Sequence, residues 1–386
     1  MNIVVERSLI KKTILYIAYS VYLILGIIES SFYAIYVQNY SKIILFSCII
    51  LLFLGESITF SVNYKDMMLG IVLIACFVYL YLFIGLGVSL IPLFMYSTRN
   101  IDITGIIKIS YIISIILLII IMISSYLGVI ENYIYYDTTR ERQYLGFRYA
   151  LYPSSILCNI IFLKVYLDKE RISWKSIILL LISSYILYTL TDSRLTFVSG
   201  GLILIFSAVN KIIPSICEKI LSRLLIFSYA FVGIISLYFT LNYNHLIDWQ
   251  ENLNEILGGR LSLGYSTLEF YGYGLFGREV ELVGNGLDVN GIVNSSSYNY
   301  VDNLYVQLLL KTGVLFLVFF IICMTYVTYL TYKQKNLYFY VILVMLALHG
   351  LIDDLILQIQ YNSFWLLITP AIYGILVNRR KTCTII

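Results

Sequence analysis

The sequence predicts an all-α membrane protein, a polytopic bundle of 11 or 12 transmembrane helices with one long extracellular loop. Three observations lead there. Hydrophobic residues make up 60% of the chain and charged ones only 12%, against about 25% charged in a soluble domain, and the mean hydropathy is +0.87. The apolar residues come in blocks of roughly 20, the length an α-helix needs to cross the hydrocarbon core, and they lack the ~10-residue alternation of an outer-membrane barrel. Loops rich in Lys and Arg alternate with loops poor in them, as expected where basic loops stay in the cytoplasm.

In order, the spans fall near residues 13–30, 42–60, 67–84, 104–127, 149–166, 175–191, 195–212, 222–243, 304–330, 337–352 and 356–377. The start, Met1 to Lys12, is weakly basic, and the apolar run after it has no small-residue cleavage site, so the first span is expected to act as its own insertion signal. The basic loops Lys164 to Lys175, Lys211 to Arg223 and Lys333 to Lys335, with the tail Arg379, Arg380 and Lys381, agree in parity and put the C-terminus inside. Eleven spans would then begin outside, against the preference of Arg7, Lys11 and Lys12. A further crossing is expected in Met67 to Ser97, where Gly85, Gly87 and Pro92 can divide the stretch into two short crossings or a re-entrant turn.

Residues 244–303 then form one long outer segment, carrying eight Asp and Glu against only Arg260 and Arg278. A loop of this length in a bundle with short connections is usually functional. Within it Leu261, Tyr265 and Leu268 recur at helical spacing beside Phe270 and Tyr271. This stretch either lies flat at the interface with its apolar face in lipid or forms a surface helix of a small cap. Gly272-Tyr273-Gly274 and Gly284-Asn285-Gly286 are turn chemistry and not a nucleotide-binding fingerprint. Six scattered cysteines form no CxxC pair and no His lies at ligand spacing, so neither a disulfide nor a metal is expected. A net charge of +4, divided by membrane side, gives no reason to expect nucleic acid as a partner.

On this topology Arg140, Arg142, Arg148, Arg194, Arg260 and Arg278 lie on the outer side, where basic residues are scarce. Arginine grips phosphate through two parallel hydrogen bonds, so such a set points to an anionic lipid headgroup. Three elements carry them: Thr138 to Arg148, the short turn Thr191-Asp192-Ser193-Arg194, and Leu257-Gly258-Gly259-Arg260-Leu261, whose paired glycines let the backbone approach a ligand. Each has a plainer alternative. Arg140 and Arg142 can pair with Glu141 and Asp137, Arg148 and Arg194 can reach to lipid phosphates, and Arg278 has Glu279 and Glu281 beside it.

Acid and base candidates are fewer. Asp302, followed by Asn303, re-enters the membrane after the long loop, and His349, Asp353 and Asp354 mark the outer end of the next-to-last span. A carboxylate or imidazole there can take a proton from a sugar hydroxyl. Alternatively Asp302, Asp353 and Asp354 are helix caps. His245 reads as a surface residue.

The turn Ser193-Arg194 between two spans, Gly259-Arg260-Leu261 followed by Phe270 to Gly277, and Asp302-Asn303 before a span with Gly313 together resemble the polytopic O-antigen polymerase and ligase group. The likeness is greatest to Wzy-type polymerases of capsular or O-antigen repeat units. It covers most of the chain in topology and only these short motifs in residues. The ligase branch typically carries a His before the Asn where Asp302 stands here, which favours a polymerase. Richness in Ile, Tyr, Asn and Lys fits an AT-rich bacterial genome and a capsule as product.

The resemblance implies a metal-independent glycosyltransferase without cofactor in the bacterial cytoplasmic membrane. It would join undecaprenyl-pyrophosphate-linked oligosaccharides at the outer leaflet with inversion at the anomeric carbon, beside a chain-length regulator and a flippase as partners. Arg142, Arg148, Arg194, Arg260 and Asn303 would then bind substrate, with Asp302, His349 and Asp353 as catalytic candidates. The competing expectations are a flippase or transporter of the same lipid-linked sugars, which needs polar groups spaced through the bundle, and a non-enzymatic partner of an export complex.

Overall fold

A computed structural model describes residues 2–59, 63–137, 140–214, 223–292 and 298–374. The basic tail Arg379 to Lys381, Cys217 and Cys383 lie outside the described residues, as does the side chain of Arg140. The chain is an all-α bundle. Its helices are α1 (Asn2–Glu29), the single turn α2 (Ala34–Val37), α3 (Ser41–Ile58), α4 (Tyr64–Phe83), α5 (Leu86–Thr98), α6 (Thr104–Tyr126), α7 (Tyr152–Asp168), α8 (Trp174–Thr191) and α9 (Arg194–Ile212). They are followed by α10 (Ser228–Leu241), α11 (Asp248–Ile256), α12 (Arg260–Tyr271), α13 (Leu304–Lys333), α14 (Leu337–His349) and a mixed 3-10 and α segment, α15 (Ser363–Ile372).

Among the described residues eight helices are long and apolar enough to cross a membrane: α1, α3, α4, α6, α8, α9, α13 and the Arg223–Leu241 helix that includes α10. Helix α7 is nearly all buried along its length and forms the centre of the bundle, while α5, α14 and α15 are shorter apolar helices. The division expected in Met67 to Ser97 falls at Gly85, whose φ of +121° a side chain disfavours, and Pro92 lies inside α5. The stretch expected as one span at 356–377 is instead broken: a 3-10 turn Leu355–Leu357, buried irregular backbone, then α15.

Ion pairs fix which helix ends lie together. Lys11 pairs with Glu56 at 2.8 Å, Arg99 with Glu56 at 2.8 Å and with Asp66 at 3.5 Å, and Tyr373 donates to Asp66 at 2.5 Å. The start of α1, the ends of α3 and α5, the start of α4 and the residue after α15 therefore share one end of the bundle. Charges buried among apolar helices are tolerated because each has an opposite partner.

The other end carries the cavity described below. It carries a hairpin, β1 (Ile134–Asp137) and β2 (Arg140–Gln143), a strand pair not expected from the sequence. In the long loop, α12 turns Leu261, Gly264 and Leu268 inward, and Gly264 lies against Thr240 of α10. This corrects the reading of α12 as a helix with its leucines in lipid: that face packs on protein.

Candidate functional site

Three arginines meet at a cavity of about 590 Å³ at the hairpin end, within the usual range for small-molecule sites. Arg142 reaches it from β2, opposite Tyr135. The α8–α9 turn brings Asp192 and Arg194, with Asp192 left-handed at φ +49° where it ends α8. Asp192 lies 3.6 Å from Arg142 and 3.4 Å from Arg194. The Nε of Arg142 is buried with no hydrogen-bond partner, whereas the Arg194 side chain is 66% exposed.

Arg260, the first residue of α12, enters over Gly258 and Gly259, both left-handed at φ +64° and +81°. Its Nε donates to the Ile352 carbonyl at 3.0 Å and its Nη1 to the Leu257 carbonyl at 2.9 Å, which aims Nη2 at Asp302, 3.4 Å away. Asp302 is free to face the cavity because Asn303 caps α13, its side chain accepting from the backbone N–H groups of Tyr305 and Val306. Burial pushes the Asp302 carboxyl up to about 6; Arg260 opposes that rise, and Asp353 adds to it.

Asp353 also lines the cavity, while His349 stands behind it. His349 Nε2 lies 3.0 Å from Asp353 Oδ2, its Nδ1 lies 3.0 Å from Ser199 Oγ, and Asp353 Oδ1 accepts from the Leu355 N–H. His349 thus bridges Ser199 of α9 and Asp353 and holds that carboxylate from behind. The next residue, Asp354, is buried and accepts from the Tyr300 hydroxyl at 2.7 Å, and burial raises its carboxyl, followed by repulsion from Asp353 and Asp302.

Of the residues singled out in the sequence, the cavity wall includes Arg142, Arg194, Arg260, Asp302 and Asp353. Four others serve it from behind or lie elsewhere. Asn303 is the α13 cap and also donates to the Leu351 carbonyl at 2.7 Å. His349 is buried behind Asp353. Arg148 is directed away: its Nε donates at 2.9 Å to the Glu29 carbonyl at the end of α1, so it ties helices together instead of facing a ligand. Arg278 donates to the Tyr271 carbonyl and not to Glu279 or Glu281. Arg142 pairs with Asp192 at 3.6 Å, and the side chain of Asp137 lies outside the described residues.

Nothing in the chain distinguishes Tyr149, Tyr152, Tyr298 and Tyr300 among 37 tyrosines as cavity residues. Asp192 was visible in its turn, but nothing local marks it as the carboxylate between two arginines. The cavity is thus not a plain cationic bowl: Asp192 sits between Arg142 and Arg194, and Arg260 faces Asp302. An anion that enters competes with these carboxylates for the same guanidinium groups.

Among the described residues no group of three or more His, Cys, Asp or Glu side chains is placed to hold a metal ion. Compared with protein-family models, curated proteins and solved structures, the chain matches none. Its chemistry is therefore read from its own residues.

Proposed function

We propose that the protein is a membrane glycosyltransferase that joins undecaprenyl-pyrophosphate-linked oligosaccharide repeat units into a capsular or O-antigen polysaccharide. The observation that carries this reading is the single cavity wall on which Arg142, Arg194 and Arg260 stand beside Asp302 and Asp353. Transfer breaks the bond between an anomeric carbon and the pyrophosphate and forms a bond from that carbon to an acceptor hydroxyl. Negative charge grows on the departing lipid pyrophosphate, and fixed guanidinium groups in a partly dry site stabilise it. The hydroxyl proton passes to a carboxylate. Asp302 suits this step, since a base close to neutral combines an ionised resting form with useful proton affinity.

The two roles are coupled. A phosphate that engages Arg260 weakens the pull of that guanidinium on Asp302, so donor binding makes Asp302 a stronger base when it is needed. Direct displacement inverts the anomeric centre. We place the cavity at the outer leaflet, because Lys11 and Arg99 lie at the opposite end of the bundle and basic residues favour the cytoplasm. A transporter reading has less support: the ion pairs among the described residues gather at the two ends of the bundle.

The test is extension of purified lipid-linked repeat units by the purified protein in proteoliposomes, read as a ladder of chain lengths. A ladder is expected from the wild type and a much slower, shorter one from Arg194→Ala or Arg260→Ala at normal insertion. Long polymer of normal yield from both variants would remove the arginines from the reaction. In cells, loss of the protein is expected to leave single repeat units that still reach the outside, whereas loss of a flippase traps them inside.

A further inference from the structure

The long loop makes one excursion that the cavity does not use. After α12 the chain runs through Gly272 to Gly277 and lodges against a break in α13 at Gly313, where φ is +76°. Breaking a helix frees backbone groups, and here the loop takes them up. The Val314 N–H donates to the Gly274 carbonyl at 3.0 Å, the Leu315 N–H to the Leu275 carbonyl at 3.1 Å, and the Arg278 N–H to the Lys311 carbonyl at 3.1 Å. Tyr79 of α4 completes the join: its hydroxyl donates to the Thr312 carbonyl at 2.7 Å and accepts from the Gly277 N–H at 3.0 Å. The fit leaves no room for side chains at the join. A Cβ on Gly313 would stand 2.5 Å from the Phe276 carbonyl carbon, and one on Gly277 would stand 2.7 Å from the Phe83 ring.

The level of this join along the bundle follows from helix lengths. From Gly313 to Lys333 α13 has 21 residues, about 31 Å at 1.5 Å per residue, which matches a hydrocarbon core of about 30 Å. Helix α4, with 20 residues, ends at Phe83 beside Gly277. Both helices put the join at the membrane boundary on the cavity side. The side chains on the elbow point away from the protein there: Phe270 is 82% exposed, Leu275 63% and Phe276 66%. They continue the exposed apolar wall formed by Leu82 of α4 and by Leu315 and Val318 of α13.

We infer that the Phe270–Gly277 elbow is a membrane anchor, with Phe270, Leu275 and Phe276 in the hydrocarbon of the leaflet next to the cavity. A loop tip in water can leave its carbonyls and N–H groups to solvent. One in lipid must meet them within the protein, and the join does so for the Gly274 and Leu275 carbonyls and for the Gly277 N–H. The anchor also bears on the site without depending on its chemistry: α12 begins at Arg260 on the cavity wall and ends at the elbow, so lipid contact holds one wall at a fixed height above the leaflet.

The test uses the full-length protein in phosphatidylcholine vesicles and adds one tryptophan, Phe276→Trp, with the signal of the three native tryptophans subtracted. The added emission is expected to be blue-shifted, strongly quenched when the acyl chains carry bromine, and untouched by aqueous iodide. Quenching by iodide without quenching by bromolipid would put the elbow in water, and quenching by neither would put it under protein; both overturn the anchor. Leu275→Trp provides a second reading of the same outcomes if Phe276→Trp does not insert.

Discussion

Removing Arg260 should move the pH dependence of the reaction in a direction and by an amount that the geometry fixes. Asp302 stands at about 6 because burial outweighs the opposing guanidinium of Arg260. At 3.4 Å, two unit charges interact by about 1 kcal/mol in a water-like dielectric and by about 5 kcal/mol at an effective dielectric of ~20. One pKa unit corresponds to about 1.4 kcal/mol, so loss of the guanidinium should raise the Asp302 carboxyl by about 1 to 3 units. The base works ionised, so wild-type kcat/KM should fall as pH drops through about 6. In Arg260→Gln that acid limb should lie about 1 to 3 units higher. The profile of kcat/KM reports the free enzyme, before donor phosphate shares the arginine. Arg260→Lys keeps the charge and should keep the limb near its wild-type position while turnover falls, because Lys lacks the fork that holds Ile352 and Leu257. The assay is extension of lipid-linked repeat units across the pH range, with variants matched for melting temperature. An unshifted limb in Arg260→Gln, or one shifted to acid, would refute Asp302 as the titrating base.

Three further outcomes separate the roles of neighbouring residues. Arg148→Ala should lower the melting temperature by removing the tie to the Glu29 carbonyl but spare turnover per folded molecule, whereas Arg194→Ala, at an exposed position, should do the reverse; thermal unfolding beside the extension assay distinguishes them. Asn303→Ala should destabilise the protein by about 1–2 kcal/mol through loss of the α13 cap, measured as a shift in melting temperature in detergent, and an unchanged melting point would contradict the cap. Gly313→Ala places a side chain at φ +76° and against Phe276, so it should expel the elbow and speed proteolytic cleavage between Gly272 and Arg278.

Much of the fold was legible because a bilayer reads sequence locally. Each crossing needs its own run of about 20 apolar residues, and that run is visible without knowledge of its neighbours. The same locality narrowed the break to Gly85, Gly87 or Pro92, and the structure put it at Gly85. Where helices are sheltered by protein the rule weakens: the amides Gln358, Gln360 and Asn362 stand inside the stretch expected as one span, and the structure breaks it there into buried irregular backbone held by contacts such as Asn362 with the Ile356 carbonyl.

The chemistry divides in the same way. Sequence alone determined that arginines and carboxylates gather at the ends of spans flanking one long loop, because charged side chains are driven out of the hydrocarbon core. Only the tertiary structure decided which of them meet. Arg142 and Arg148 are six residues apart, yet the hairpin aims one at Asp192 and the α6–α7 connection turns the other to Glu29. Asp302 and Asn303 are adjacent, yet one faces the cavity and the other caps a helix. His349 is held behind Asp353 by Ser199, which lies on another helix 150 residues away in sequence. These assignments rest on distances between elements remote in the chain, and such distances are set by packing the whole bundle, not by any local stretch of it.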